Sequence, residues 1–118
     1  MRKQFRERLI SYYSGLFYPV YEQYKLKNEF KYAVQRYCSL KDLYSHSIQP
    51  INQDYELCEC GVLVGDNSYE QLVESVIEHK NFRRNNSVSV GDVIKIYRAG
   101  ERYFFYVDPV GLQRLNAF

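Results

Sequence analysis

Two segments in the last third of the chain, Ser87-Val-Ser-Val-Gly-Asp-Val-Ile-Lys-Ile-Tyr97 and Arg102-Tyr-Phe-Phe-Tyr-Val-Asp108, predict a β-hairpin. Both segments are rich in β-branched and aromatic residues, and Ala99-Gly100 between them suits a tight two-residue turn. Such a turn pairs Ile94 with Phe105 and Ile96 with Tyr103. One face of the hairpin then carries residues that can join a core: Ile94, Ile96, Tyr103, Phe105 and Val107.

The opposite face of the predicted hairpin mixes cations with aromatic rings. It carries Val93, Lys95, Tyr97, Arg102, Phe104 and Tyr106. Sheet faces of this kind bind single-stranded nucleic acids by stacking and charge. The alternative is that an N-terminal helix covers this face, while the Lys and Arg side chains extend outward to water.

The segment before the hairpin predicts a strand and then a capped helix. Leu57, Val62 and Val64 indicate a strand over 55–64, with a bend at Gly61. Ser68 and Gln71 have the spacing of a capping box, so a helix is predicted over 68–79. Residues 80–86 then predict a polar, basic loop whose Arg and Asn side chains suit phosphates and base edges. The alternative is a solvated loop without a ligand.

The first half of the chain is less clear. An amphipathic helix is predicted over 4–17, and Pro19 separates it from a second predicted helix over 20–28. The pattern of residues 30–38 suits either a strand or a helix. Residues 39–44 predict a short helical turn capped by its first residue, a serine.

Composition and charge set broad limits. The 118 residues fit one domain, and their net charge is only +2. The charge is uneven, because residues 1–37 carry +5 and residues 38–118 carry −3. An uninterrupted apolar segment of membrane-spanning length is absent, and Glu7 and Arg8 interrupt any leader-like segment. We therefore expect a cytoplasmic protein that does not enter a membrane, and the odd count of three cysteines agrees.

Several motifs in fixed order carry a family resemblance: Tyr55-Glu-Leu, Gly61, a helix over 69–77, Phe82-Arg83, Ser87-Val-Ser-Val-Gly-Asp-Val-Ile94 and Tyr106-Val-Asp-Pro-Val-Gly-Leu112. Residues 55–112 thereby resemble the YodL-like family of small bacterial domains, found alone and inside large proteins of mobile elements. This chain departs from the family's typical motifs at Val88, Gly91, Pro109 and Leu112. The resemblance implies an α+β domain without an established enzymatic activity. It also favours a strand over 30–38 and leaves residues 1–29 outside the family segment.

The remaining polar residues that could bind a ligand or take part in catalysis fit structural roles better. Asp92 and Asp108 match acidic positions of the family near the open end of the hairpin, where they can cap backbone amides or hold a partner's arginine or a metal. Cys58 and Cys60 are placed on one face of a strand, where zinc would need Cys38, His46 or His79 as further ligands. The ligand spacing is not that of usual zinc sites, and no catalytic pattern is present. We therefore expect no enzyme, no metal and no cofactor.

These observations lead to one hypothesis and one alternative. The fold is predicted as α+β, with a basic, Tyr-rich helical arm over 1–29 and, over 30–118, a mainly antiparallel sheet, one crossing helix and the C-terminal hairpin. The function is predicted as a phage or mobile-element protein-binding module that inhibits a host protein, such as a defence nuclease like a CRISPR effector. The alternative is a nucleic-acid-binding module that uses the basic loop 80–86 and the basic N-terminal arm, and a homodimer through helix 4–17 is a further option. The candidate partner-binding residues are Lys80, Arg83, Arg84, Asn85, Asn86, Lys95, Tyr97, Arg102 and Phe104.

Overall fold

The computed structural model describes residues 18–63, 67–83 and 87–118. The elements are β1 (Val20–Leu26), α1 (Leu40–Ser45), β2 (Tyr55–Val62), α2 (Tyr69–Arg83), β3 (Val93–Arg98), β4 (Glu101–Val107) and β5 (Leu112–Leu115). Short 3₁₀ turns at Phe30–Tyr32 and Asn52–Asp54 precede α1 and β2. The five strands form one antiparallel sheet in the order β2-β1-β3-β4-β5. The predicted α+β class is confirmed. The predicted helix 4–17, and a dimer through it, lie outside the described residues.

The hairpin of β3 and β4 has the predicted register. Ile94 lies opposite Phe105, and Arg98 lies opposite Glu101. The turn residues Ala99 and Gly100 have φ angles of 51° and 81°. Positive φ at both central positions is the geometry of the turn that matches the twist of a two-residue hairpin.

The N-terminal strand β1 corrects the prediction of a helix over 20–28. It lies between β2 and β3, so both its edges are hydrogen-bonded and both its faces are covered. Glu22 and Gln23 are only 1 % and 0 % exposed. Because these buried residues are polar, the sequence lacks the apolar pattern that would have predicted a buried strand. Gln23 Nε2 donates to Asp92 Oδ2 at 3.3 Å, and the Tyr24 hydroxyl donates to Glu22 Oε1 at 2.6 Å. The polar side chains are thus tied to partners inside the fold.

Residues 30–38 form neither a strand nor a longer helix. A 3₁₀ turn at Phe30–Tyr32 leads into further turns, and Tyr37 has a φ of 62°. The predicted strand over 30–38 is therefore wrong. The first strand of the domain is β1, so the sheet also includes residues that the predicted division at position 29 assigns to a helical arm.

Helix α2 covers one face of the sheet. Ser68 Oγ accepts from the amide of Gln71 at 3.3 Å, and Gln71 Oε1 accepts from the amide of Ser68 at 3.1 Å, which confirms the capping box. The helix continues to Arg83, so residues 80–83 belong to its last turn and correct that part of the predicted loop over 80–86. The core beneath α2 consists of Tyr21, Leu72, Val73, Val76, Val88, Ile94, Ile96, Phe105 and Val107.

The opposite face of the sheet is covered in part by α1. The predicted cap is confirmed, because Ser39 Oγ accepts from the amide of Asp42 at 3.1 Å. A second core joins Tyr24, Leu40, Leu43, Tyr55, Val93, Tyr106 and Leu115. The Phe118 ring closes this core, since it meets the rings of Tyr24 and Tyr55 edge-on at 5.3 and 5.1 Å between centroids.

Strand β2 contains a bulge that separates the two neighbouring cysteines. Glu59 pairs with Gln23 and Leu57 pairs with Tyr24, so Cys58 is the extra residue between them. Cys60 lies opposite Glu22, whereas Cys58 lies where Lys25 and Asp92 act on its thiol. The bulge interrupts the alternation of side chains on which the prediction of one shared face for both thiols rests.

Candidate functional site

The predicted basic segment over 80–86 falls mostly where the structure is not described. Arg84, Asn85 and Asn86 lie outside the described residues, and so do the side chains of Lys80 and Arg83. The described backbone places positions 80 and 83 on the last turn of α2.

The predicted cationic and aromatic face does bring Lys95, Tyr97 and Phe104 together. Lys95 Nζ lies 5.4 and 5.2 Å from the centroids of the Tyr97 and Phe104 rings and 5.3 Å from that of Tyr24. The same ammonium lies 3.5 Å from Glu22 Oε1, and the Lys95 side chain is only 12 % exposed. This cation is therefore engaged by a buried carboxylate and three rings. Arg102, opposite Tyr97, is exposed.

A second cationic and aromatic cluster, which the sequence did not reveal, lies on the α2 side of the sheet. The Tyr69 and Tyr103 rings stand 4.3 Å apart, with the Arg98 guanidinium 4.4 Å from the first ring and the Arg114 guanidinium 3.9 Å from the second. Glu101 accepts from both tyrosine hydroxyls, at 3.3 and 3.4 Å. We call Arg98, Tyr69, Tyr103 and Arg114 the Arg–Tyr stack. Four separate elements supply its members, so no local motif marks it.

Three loops meet at one end of the sheet, and we call this region the loop end. It consists of residues 27–39 after β1, residues 87–92 before β3 and residues 108–111 between β4 and β5. The antiparallel register brings these strand termini together, since Tyr24 pairs with Val93 and Val107 pairs with Leu112. Loops held at one end of a rigid sheet are common locations for binding residues.

Buried side chains of the sheet hold these loops in place. The Tyr106 hydroxyl donates to the Cys38 carbonyl at 2.6 Å, and the Tyr55 hydroxyl donates to the Gly91 carbonyl at 2.9 Å. Asp108 Oδ1 accepts from the amide of Leu40 at 2.8 Å, at the start of α1. The predicted capping role of Asp108 is thereby confirmed. Both tyrosine hydroxyls are protonated donors at neutral pH, and burial raises their pKa values still further above it.

The anchored loops present large apolar side chains to solvent. Val34, Tyr37 and Val110 are 84 %, 69 % and 86 % exposed. Tyr37 also has a φ of 62°, which is uncommon and strained for a bulky residue. Its backbone rests on Gly91, where a Cβ would lie 3.7 Å from the Tyr37 nitrogen. Strained residues that surrounding structure holds in place cluster at functional sites.

A small cavity opens between the first two loops of the loop end. Its volume is about 170 Å³, and its walls are Lys25, Leu26, Arg36, Tyr37 and residues 89–92. Asp92 Oδ2 accepts from Lys25 Nζ at 2.7 Å and from the Ser89 amide at 2.9 Å, which confirms the predicted turn-capping role. Burial raises the pKa of the Asp92 carboxyl, and the hydrogen bonds from Lys25 and Ser89 oppose that shift. Arg36 Nη2 donates to the Lys27 carbonyl at 2.6 Å.

Metal ligands do not gather in the described part of the chain. Within residues 18–63, 67–83 and 87–118, no three His, Cys, Asp or Glu side chains are placed to share a metal ion. The three cysteines are free thiols, and burial raises the pKa of Cys58. Neither described helix has the length and apolar character needed to cross a bilayer.

Comparison with known proteins gives one result. The family model of the YodL-like domain matches residues 20–118. The match thus begins at β1 and runs through the loop end, whereas the motif resemblance covers only residues 55–112. Neither a curated protein nor a solved structure matches the chain significantly. Because the family model spans the whole described sheet and both helices, this chain belongs to the family of YodL-like domains.

Proposed function

We propose that this domain is a non-enzymatic protein-binding module whose partner contacts the loop end. The observation that carries the proposal is Tyr37, a 69 % exposed aromatic residue in a strained backbone conformation on an anchored loop. Tyrosine is enriched among the residues that dominate binding energy. Hydrogen bonds at the neighbouring Arg36 and Cys38 hold this loop, which lowers the backbone conformational entropy that binding costs.

The setting implied by the family resemblance extends the proposal to a class of partner. Domains of this family are found on mobile elements, so we propose that the partner is a host protein and that binding inhibits it. A defence nuclease such as a CRISPR effector fits this description.

Capture of the tagged chain's partner from bacterial lysate, with and without nuclease treatment, tests the proposal. A stoichiometric protein that persists after nuclease treatment is the expected result. Tyr37→Ala should weaken its affinity by about 2 kcal/mol, close to 30-fold, while Tyr44→Ala on α1 serves as the matched control. Tyr44 is 50 % exposed but does not belong to the loop end. An equal affinity of the Tyr37→Ala and wild-type proteins would refute the assignment of the loop end.

The Arg–Tyr stack favours nucleic-acid binding as a second candidate function. Arg114 is exposed and lies against the Tyr103 ring, an arrangement in which a guanidinium can stack on a base or contact a phosphate. Binding of a single-stranded oligonucleotide should then weaken steeply with salt, and Arg114→Ala should reduce both the affinity and the salt slope. Binding that ignores both changes would exclude this candidate.

A further inference from the structure

The cavity at the loop end carries an unequal balance of charge. Its walls contain two cations, Lys25 and Arg36, and one carboxylate, Asp92, which leaves one positive charge. Lys25 is committed to Asp92 at 2.7 Å, and the same carboxylate oxygen also accepts from Gln23 Nε2 and the Ser89 amide. Lys25 therefore balances the negative charge of Asp92, and Arg36 carries the one positive charge that remains.

Arg36 is held in a way that suits recognition of an anion. Its Nη2 group donates to the Lys27 carbonyl at 2.6 Å, which fixes the guanidinium against the backbone of the first loop. A guanidinium carries five N–H donors in a planar fork, so the one bond to Lys27 leaves further donors on Arg36, which lines the cavity. A fork of this kind matches the two oxygens of a carboxylate.

The size of the cavity limits what can enter it. Pockets for cofactors and other small-molecule ligands span about 300–1,000 Å³, and this cavity of about 170 Å³ is smaller. It has room for the end of one side chain. Tyr37 and Leu26 provide an aromatic and an aliphatic wall beside the charged groups, which suits the methylene groups that precede a side-chain carboxylate.

We propose that this cavity binds the carboxylate of an aspartate or glutamate side chain on the protein partner, with Arg36 as the residue that recognises it. The inference rests on the proposed protein-binding function and names the chemistry of the partner's anchoring residue. A monoanion matches the single excess positive charge. A phosphate dianion would bring a second negative charge towards Asp92, so the site favours a carboxylate over a phosphate.

The test is a titration with small probes, and binding is measured from the shifts of the Val90 and Gly91 backbone amide signals in NMR spectra. The probes are acetyl-glutamate amide, its neutral counterpart acetyl-glutamine amide, and inorganic phosphate, all at matched ionic strength. We expect saturable shifts with acetyl-glutamate amide, no saturable shift with acetyl-glutamine amide, and weaker binding of phosphate. Arg36→Ala should weaken the carboxylate affinity by about tenfold or more, because a charge-assisted pair is lost.

Two further variants make the test specific. Arg36→Lys keeps the charge but lacks the fork, so its affinity should fall between those of wild type and Arg36→Ala. Lys41→Ala removes an exposed cation that does not line the cavity and should leave the carboxylate affinity unchanged. Arg36 is chosen over Lys25 because its substitution leaves the Lys25–Asp92 pair intact.

The proposal is overturned if acetyl-glutamate amide causes no saturable shift, if Arg36→Ala binds it as wild type does, or if phosphate binds more tightly. These outcomes are distinct from failure of the proposed function. If a captured partner depends on Tyr37 while the probes do not bind, the protein-binding function stands and the carboxylate site is wrong. If the probes bind but no protein is captured, the site stands without the proposed partner.

Discussion

The hydroxyl group of Tyr106 should stabilise both the fold and the loop end, and Tyr106→Phe tests this. The Tyr106 ring is 1 % exposed and sits in the second core, so phenylalanine preserves its packing and removes one oxygen atom. That oxygen donates to the Cys38 carbonyl at 2.6 Å. The substitution therefore leaves a part-buried acceptor without its protein donor and creates almost no cavity.

The expected cost follows from the position of the acceptor. A buried polar group without its partner costs about 1–3 kcal/mol. Cys38 is half-buried, so a water molecule can replace the lost donor in part, which places the cost near the lower limit. We expect a loss of about 1–1.5 kcal/mol in the free energy of unfolding, or roughly 3–8 °C in Tm for a domain of this size.

Urea denaturation measures this loss, with Tyr44→Phe as the matched control. Tyr44 is 50 % exposed, so removing its hydroxyl should change stability by less than about 0.5 kcal/mol. Tyr106→Phe should also increase hydrogen exchange at the Tyr37 and Cys38 amides and weaken partner binding, because the loop loses an anchor. A Tyr106→Phe protein with wild-type stability and unchanged exchange would refute the argument that this bond holds the loop.

Three further predictions concern stability. Burial raises the pKa of Asp92 above its ordinary value of 3.8, so the folded state binds this proton more tightly than the unfolded chain does. The stability of wild type relative to Asp92→Asn should therefore fall as pH rises from 3.8 through the folded pKa, and then level off. Urea titrations that show this stability difference rising with pH would contradict the prediction. Gly61→Ala should cost about 1–3 kcal/mol of stability, because its Cβ would lie 2.7 Å from the Tyr21 ring. Gly100→Ala has open space around its Cβ but a φ of 81°, so it should cost about 1 kcal/mol. Equal Tm values for wild type and Gly61→Ala would refute the clash. Ser68→Ala should cost about 1 kcal/mol, as loss of the α2 cap, while unchanged helicity and Tm would count against a role for the capping box.

The elements that the sequence predicts correctly are those encoded by neighbouring residues. Ala99-Gly100 specifies a two-residue turn, and the turn sets the register of β3 against β4. Ser68 and Ser39 each lie at a helix start that their own side chains cap. Each of these signals acts within three or four residues, so it is visible without knowledge of the rest of the fold.

The elements that the sequence predicts wrongly depend on distant residues. Strand β1 contains Glu22 and Gln23, which break the alternation of apolar residues. The fold tolerates them because Lys95 forms an ion pair with Glu22 and Asp92 accepts a hydrogen bond from Gln23, and both partners lie about 70 residues away in the chain. The turns over 30–38 depend on Tyr106, which holds the Cys38 carbonyl. The hydrophobic periodicity of a short sequence segment cannot predict either interaction, because the partners lie outside that segment.

The same dependence explains why the candidate site could be predicted only in part. The hairpin register predicts Asp92 and Asp108 near the open end of the hairpin, and both cap backbone amides there. Arg36 and Tyr37 could not be assigned to that end, because their position depends on β1 lying beside β3.

The central position of β1 also links the fold to the proposed function. A strand hydrogen-bonded on both sides is a rigid base for the loop that follows it, and this loop carries Val34, Arg36 and Tyr37. Lys25, near the end of the same strand, contributes the ion pair beside the cavity. Under the proposed function, partner contact and sheet assembly therefore depend on one segment. A substitution that weakens β1 should impair binding through the loop, whereas a substitution at Tyr37 or Arg36 should impair binding while the sheet remains intact.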